Sequence, residues 1–487
     1  MKIKILYILI LWGSLFSAVS SQNNNTIISS IDSENFELFK QSIDGLDDID
    51  LVLSNGYTIL NYAIVKKQID FVDYLLLRDV DIEKASGLYT PLMFSVFSDT
   101  VILNQLISDG AEINRTHFGK TALKLALQTG QNQAVQILRD HDATIGLLGG
   151  IDGPYIFFDD SSGVPVKILV THANQLIIDT LQDDNKNFYV QTPLNDSFLV
   201  ALKHPEMELQ SVFEKPDKIF AVSDIEGNYS DFVTILVNNK IIDHHLNWTF
   251  GNGHLVLLGD FVDRGTYVTQ VLWLIYKLEQ DAHENGGKVH FILGNHEAMN
   301  IFGDVRYAHE KYHFLAYQLN KDIRDFYGLN SFLGLWIRNK NVIEKIGENI
   351  FVHAGISDSL LQARLSIPEI NQMVHRSFIV PVTEWDNHIQ LVSGQYGVLW
   401  YRGLVTGQSG YDKITEASLD SILTFYDGAR MIVGHSLVDD ITTEFGGKVV
   451  RIDVDHYTNP SSGIFILGDE IYKATKAGRK ELIFIKP

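Results

Sequence analysis

Five short segments in the second half of the chain carry residues that can hold metal ions and move protons. They are Ser223-Asp224-Ile225-Glu226-Gly227-Asn228, Gly259-Asp260-Phe261-Val262-Asp263-Arg264-Gly265, Gly294-Asn295-His296-Glu297, His353-Ala354-Gly355 and Gly434-His435. Carboxylate, amide oxygen and imidazole are the ligands of hard and borderline divalent cations. Two cations held close together by such groups activate a water between them, and the chemistry that arrangement serves is phosphoester hydrolysis. Any one segment alone is a weak signal, because Asp and Asn also cap turns and a lone histidine is often a packing residue. The ordered set is strong.

Each segment follows a strand-like apolar run: Ile219–Val222, Leu255–Leu258, Val289–Leu293, Asn349–Val352 and Met431–Val433. Five turns at five strand ends is how an α/β sheet builds a ligand cleft. Helical stretches at Asp231–Asn238, Tyr267–Glu279 and His309–Asp325 alternate with the strands, which predicts a sheet sandwich flanked by helices. Upstream, Tyr155–Phe213 alternates apolar and polar residues between turns at 159–163, 183–187 and 195–196, the pattern of a β meander.

Between about residues 30 and 145 a unit repeats, with Thr58, Thr90 and Thr121 spaced by 32 and 31 residues. Each threonine opens a short apolar stretch (Thr58-Ile59-Leu60, Thr90-Pro91-Leu92, Thr121-Ala122-Leu123). A second apolar helix follows at Phe71–Leu77, Val101–Ile107 and Ala134–Leu138. This resembles the ankyrin repeat, which implies a helical stack able to bind a protein partner or to serve as a structural module.

The five site segments resemble, in type and order, the motifs of calcineurin-like metallophosphoesterases of the phosphoprotein-phosphatase family. Leu293–Tyr307 and Leu399-Trp400-Tyr401-Arg402-Gly403 look like the Shewanella-like branch. The resemblance implies two divalent metal ions bridged by Asp260. Asp224 and Glu226 join it at one metal, and Asn295, His353 and His435 at the other. Manganese is the first expectation, with iron, zinc or magnesium as alternatives. It also implies His296 as the acid that protonates the leaving oxygen, Asp263 as the carboxylate that orients it, and Arg264 as a phosphate clamp. Asn295 and Arg402 complete the substrate contacts. One departure stands out: the family has His where this chain has Glu226, which predicts a harder, more negative first metal site. The same motifs serve dinucleoside polyphosphate hydrolases, a second enzymatic reading. The non-enzymatic alternative is a catalytically weak, ankyrin-based binding protein.

The whole-chain numbers narrow the field. The chain has 487 residues, 45% of them hydrophobic, which is enough for several cores. A formal charge of -21 excludes general binding to nucleic acid or anionic membranes, and it would repel a phosphorylated substrate except where cations are local. There is no cysteine, hence no disulfide, thiolate ligand or Cys nucleophile. Residues 1–20 read as a signal peptide, with Lys2 and Lys4 before an apolar run that ends in Ala18-Val19-Ser20. The expected order is therefore a signal peptide (1–20), an α-helical ankyrin stack (30–145), a β-rich connector (150–214) and an α/β metallophosphatase sandwich of two mixed sheets flanked by helices (215–487). The mature protein is expected in the periplasm or secreted, with no stable membrane span.

Overall fold

The computed structural model describes residues 24–485 except 45, 47, 79, 119, 145–150, 159–162, 172–174, 182–186, 195, 204–206, 406–409 and 459–460. The signal-peptide segment and most of the turns expected at 159–163 and 183–187 lie outside the described residues. Two compact units divide the chain: residues up to 146 with His313–Gln318, and residues 147–312 with 319–487. Among the described residues no helix is long and apolar enough to cross a membrane.

The first unit consists of paired helices. Ile59–Val65, Pro91–Ser95 and Ala122–Gln128 each begin after a threonine whose hydroxyl accepts a backbone N–H three residues on, at 3.1, 3.3 and 3.2 Å for Thr58, Thr90 and Thr121. Each is followed by a second helix, Ile69–Leu76, Thr100–Ser108 and Asn132–Asp140. Their apolar faces meet in a core containing Leu60, Val72, Leu103, Leu123 and Val135.

The second unit opens with an antiparallel sheet of β1 (Asp152–Phe158), β2 (Pro165–Val170) and β3 (Leu176–Thr180), and a hairpin of β4 (Asn187–Gln191) and β5 (Ser197–Ala201). These strands pack on the helix Val268–Glu284. Trp273 there is fully buried, donates to Pro154 O at 2.8 Å and meets Phe188 edge-on. Lys311 and Asp152, both nearly inaccessible, pair at 3.0 Å. A paired burial of two charges costs desolvation that only good geometry offsets, so this contact fixes where the β-rich segment sits.

Two six-stranded sheets then form a sandwich. One runs β17-β16-β15-β7-β8-β9, where β7 is Lys218–Val222, β8 His254–Leu258, β9 Lys288–Ile292, β15 Ser462–Leu467, β16 Glu470–Thr475 and β17 Lys480–Ile485. The other runs β13-β14-β12-β11-β10-β6, with β6 Val212–Phe213, β10 Ile343–Ile346, β11 Asn349–Val352, β12 Arg430–Val433, β13 Thr442–Glu444 and β14 Val449–Arg451. Strands β7, β8 and β9 are parallel, as are β11, β12 and β14, whereas β15 enters antiparallel to β7. Alternate residues point inward. Ile219, Ala221, Val256, Leu258 and Ile292 from one sheet meet Phe351, Ile432 and Val450 from the other in one core. A polar chain crosses that core: His290 Nδ1 is 2.5 Å from Glu344, and its Nε2 is 2.9 Å from His254 Nδ1.

The helix expected over His309–Asp325 is interrupted. It ends at Gln318, Asn320 turns left-handed, and Asp322 caps a new short helix, Ile323–Phe326, by accepting from Arg324 N at 2.9 Å. Asn and Asp favour that turn-and-cap geometry over continuing a helix.

Candidate active site

All five segments leave the C-terminal ends of strands, three from one sheet (β7, β8, β9) and two from the other (β11, β12). The turns are tight. Asp224, Glu226, Asp260, Asp263, Arg264 and His435 all adopt left-handed φ values between 50° and 70°. Outside glycine that conformation is uncommon and costs about 1 kcal/mol or more per residue, so the surroundings must impose it. Two glycines permit the close approach. A Cβ at Gly294 would fall 2.6 Å from Asp260 N, and one at Gly434 2.6 Å from Asp224 Oδ2.

Glu297 is the brace, a role the sequence reading did not give it although it belongs to the Gly-Asn-His-Glu segment. Fully buried, it accepts N–H groups from Asp260 (2.9 Å), Phe261 (2.8 Å) and Gly294 (2.8 Å). One carboxylate thus ties the β8 turn to the β9 turn. Burial, with the charge of Asp260 adding to it, raises its pKa.

Asp260, His353 and His435 converge, with one ligand atom from each within 4.8 Å of the others. His353 Nε2 lies 3.2 Å from Asp260 Oδ2 and 3.0 Å from Asn295 Oδ1, and its Nδ1 donates to Leu258 O at 2.7 Å. That outer hydrogen bond leaves Nε2 facing the cluster, as a metal-ligating imidazole requires. Asp224 joins through its Oδ2, which accepts from His435 N at 3.2 Å and from the Ser223 hydroxyl. Carboxylate, amide oxygen and two imidazoles converging in this way fit divalent cations.

The electrostatics agree with that fit. Burial raises Asp224 well above the usual carboxylate range, and the charge of Asp453 raises it further. Asp453 itself is pushed up to about 7 by burial and by Asp260. Burial opposes a charged His353 ring, yet Asp260 and Asp224 push it up to about 10. Burial and the neighbouring His353 hold His435 well below its ordinary value. Crowded buried acids that draw a proton onto a neighbouring ring lack positive charge, and divalent cations supply it.

His296 stands beside this cluster. Its Nδ1 is 2.7 Å from Asp263 Oδ2, and its backbone N donates to Asp260 Oδ1 at 2.9 Å. Asn300 Nδ2 donates to the other Asp263 oxygen at 2.9 Å, so the orienting carboxylate is itself oriented. Burial disfavours the charged ring, but Asp260 and Asp263 raise its pKa overall. Arg264 pairs with Glu226 and lies over the Tyr307 ring, 5.3 Å from its centroid. Arg402 donates to His435 O at 2.8 Å and to Ser436 Oγ at 3.2 Å.

A cavity of about 470 Å³ gathers Asp224, Glu226, Asp260, Arg264, Asn295, His296, Arg402 and His435 on one wall system. His353 lies behind it, fully buried. Asp453, His456 and Tyr457 also line it. Of these, His456 is buried, with its Nε2 2.8 Å from Ser223 O. No motif marks Asp453, which arrives on the chain after β14; the acidic run Asp453-Val454-Asp455 was the only hint.

Residues 217–439 match the calcineurin-like phosphoesterase family. That match supports a metal-dependent phosphoester hydrolase. The chain is also similar to Shewanella-like protein phosphatase 1 of Plasmodium berghei, at 29% identity over 229 residues, covering 45% of this chain and 61% of that one. Shewanella-like protein phosphatase 2 of Arabidopsis thaliana is 27% identical over 290 residues, covering 50% of this chain and 73% of that one. The chain therefore spans less than two thirds of the Plasmodium relative. Among solved structures, a cold-active protein-tyrosine phosphatase of a psychrophilic Shewanella superposes with a TM-score of 0.62 at 29% identity, covering 68% of this chain and 99% of its own. The helices before residue 146 lie outside the family match.

Proposed function

We propose that this phosphoesterase is a phosphatase of phosphomonoesters, with phosphoproteins as its substrate class. The observation that carries the reading is the held His296–Asp263 pair beside the Asp260–His353–His435 cluster, inside a cavity with two arginines. A pure binding surface has no use for an oriented proton donor.

When bound, two divalent cations supply an activated water and neutralise phosphate charge. Asp224, Asp260, Asn295, His353 and His435 are the residues to hold them, with manganese the first expectation. The chain's own groups do the rest. The Arg264 and Arg402 guanidinium groups grip phosphate oxygens and fix the phosphoryl group against the cluster. His296, held as an imidazolium by the Asp263 carboxylate on Nδ1, donates its Nε2 proton to the departing oxygen and is left neutral with its proton on Nδ1. The similarity to an enzyme described as a protein-tyrosine phosphatase supports testing phosphotyrosine alongside phosphoserine and phosphothreonine.

The threonine-capped helix pairs support reading residues 30–145 as ankyrin repeats that recruit a protein substrate, and the composition of residues 1–20 supports export. Chelated protein refilled with manganese, magnesium, iron or zinc, assayed on p-nitrophenyl phosphate, phosphopeptides and diadenosine tetraphosphate, tests the activity. Turnover of phosphopeptides that Asp260→Asn lacks is expected. Turnover of diadenosine tetraphosphate alone makes the chain a polyphosphate hydrolase, and none with any metal favours the binding-protein reading.

A further inference from the structure

Glu226 stands where the family resemblance places a histidine, and its carboxylate is paired with Arg264. It is not part of the converging Asp260, His353 and His435 group. The pairing is built into the backbone. Glu226 and Arg264 hold φ values of 50° and 52° on facing turns, and Gly265 N donates to Glu226 O at 2.9 Å. Glu226 N donates to Asp260 O at 2.9 Å and Arg264 N to Tyr307 O at 2.9 Å, while the Tyr457 hydroxyl donates to Glu226 O at 2.8 Å. With both turns pinned, the pair can part only by side-chain rotation.

The pair is also accessible: the Arg264 side chain is 44% exposed and that of Glu226 17%, and both line the cavity. A carboxylate and a phosphate offer a guanidinium the same thing, two oxygens in a plane that accept a parallel pair of N–H bonds. A phosphate that takes Arg264 through Nη1, the atom Glu226 holds, must therefore displace Glu226.

We infer that Glu226 is the resident counter-ion of the phosphate clamp. It occupies Arg264 in the resting site, gives way to the substrate phosphoryl group, and retakes the guanidinium when free phosphate leaves. Its effect is to weaken retention of inorganic phosphate, the product. This deepens the phosphatase reading and rests on it. Glu226 is a positioning residue here, acting through Arg264 on the phosphate.

The test is calorimetric titration of inorganic phosphate into the manganese-loaded protein, with metal content measured alongside. Glu226→Gln keeps the shape and removes the charge. It is expected to bind phosphate about fivefold more tightly, the upper end for a partly exposed ion pair, with metal content unchanged. In an Arg264→Ala background the same substitution is expected to change phosphate affinity less than about twofold, since the two residues act as one unit. Unchanged affinity in Glu226→Gln overturns the proposal. So does an equal gain without Arg264, which would mean only general charge removal, and so does loss of metal, which would make Glu226 a ligand. Failure of the phosphatase reading is separate: it appears as absent hydrolysis of phosphomonoesters by the loaded wild type, a measurement independent of phosphate titration.

Discussion

His296 is held at four points of a small network. Its ring meets Asp263, Asn300 fixes the far oxygen of Asp263 and also donates to His296 O at 2.9 Å, and the His296 backbone donates to Asp260. His296→Gln keeps a donor but removes a transferable proton. It should lower kcat on an alkyl phosphate by roughly 10²–10⁴, with less loss on p-nitrophenyl phosphate, whose leaving group needs little protonation. Glu297 predicts a different failure. Glu297→Gln halves the acceptor capacity for three N–H groups and leaves buried donors unpaired, a cost of about 2–3 kcal/mol. A lowered urea midpoint together with weaker metal retention is expected; unchanged metal retention would show that the two turns hold without the brace. These residues were legible because each side chain has a chemical use that shows in its type: acid, base, ligand or cation. What was not legible is their pairing. Glu226 was expected at a metal by analogy of position, and its partnership with Arg264 depends on two turns that sit 38 residues apart and meet only in the folded chain.

Strand ends were predicted well because each run of Val, Ile, Leu and Phe stops at a turn that must expose polar groups. Val289–Leu293 was expected and Lys288–Ile292 is observed, a shift of one residue. Which runs share a sheet could not be read, since periodicity reports burial and not neighbours. The histidines of β8 and β9 illustrate this. His254 and His290 lie on neighbouring strands and form a hydrogen-bonded chain ending on Glu344 of the opposite sheet. Burial first, and then the neighbouring His290, lowers His254 to about 4 from its ordinary 6.5. The unfolded chain therefore binds a proton between those values that the folded chain refuses, so stability should be full above 6.5 and decline as pH falls toward 4. Urea midpoints across that interval, compared with His254→Leu, provide the check. A flatter profile in the variant is expected, and an identical one would place the acid sensitivity elsewhere.

At the scale of the molecule, charge dominates. With 39 basic and 60 acidic residues, the chain repels the dianion it is proposed to hydrolyse, while the cavity offers Arg264 and Arg402 as local cations. Raising ionic strength from about 10 to about 150 mM shortens the Debye length from roughly 30 to 8 Å. It should therefore raise kcat/KM for an acidic phosphopeptide, by about twofold or more, while leaving a neutral phosphomonoester analogue nearly unaffected. A fall instead would mean that the cavity field outweighs the net charge.

The placement of β15 has one more consequence. It lies between β7 and β16, so Ile464 pairs with Ala221 and Phe465 with Phe220 across more than 240 positions of sequence. Asp453, on the cavity wall, likewise belongs to the late part of the chain. Closing such distant pairings is slow. During synthesis the first ligands, Asp224 and Asp260, therefore emerge long before the strand that completes their sheet, and a ribosome-bound chain holds an incomplete hydrolase. The sheet that carries Asp224 and Asp260 is therefore complete only after β15 has joined β7.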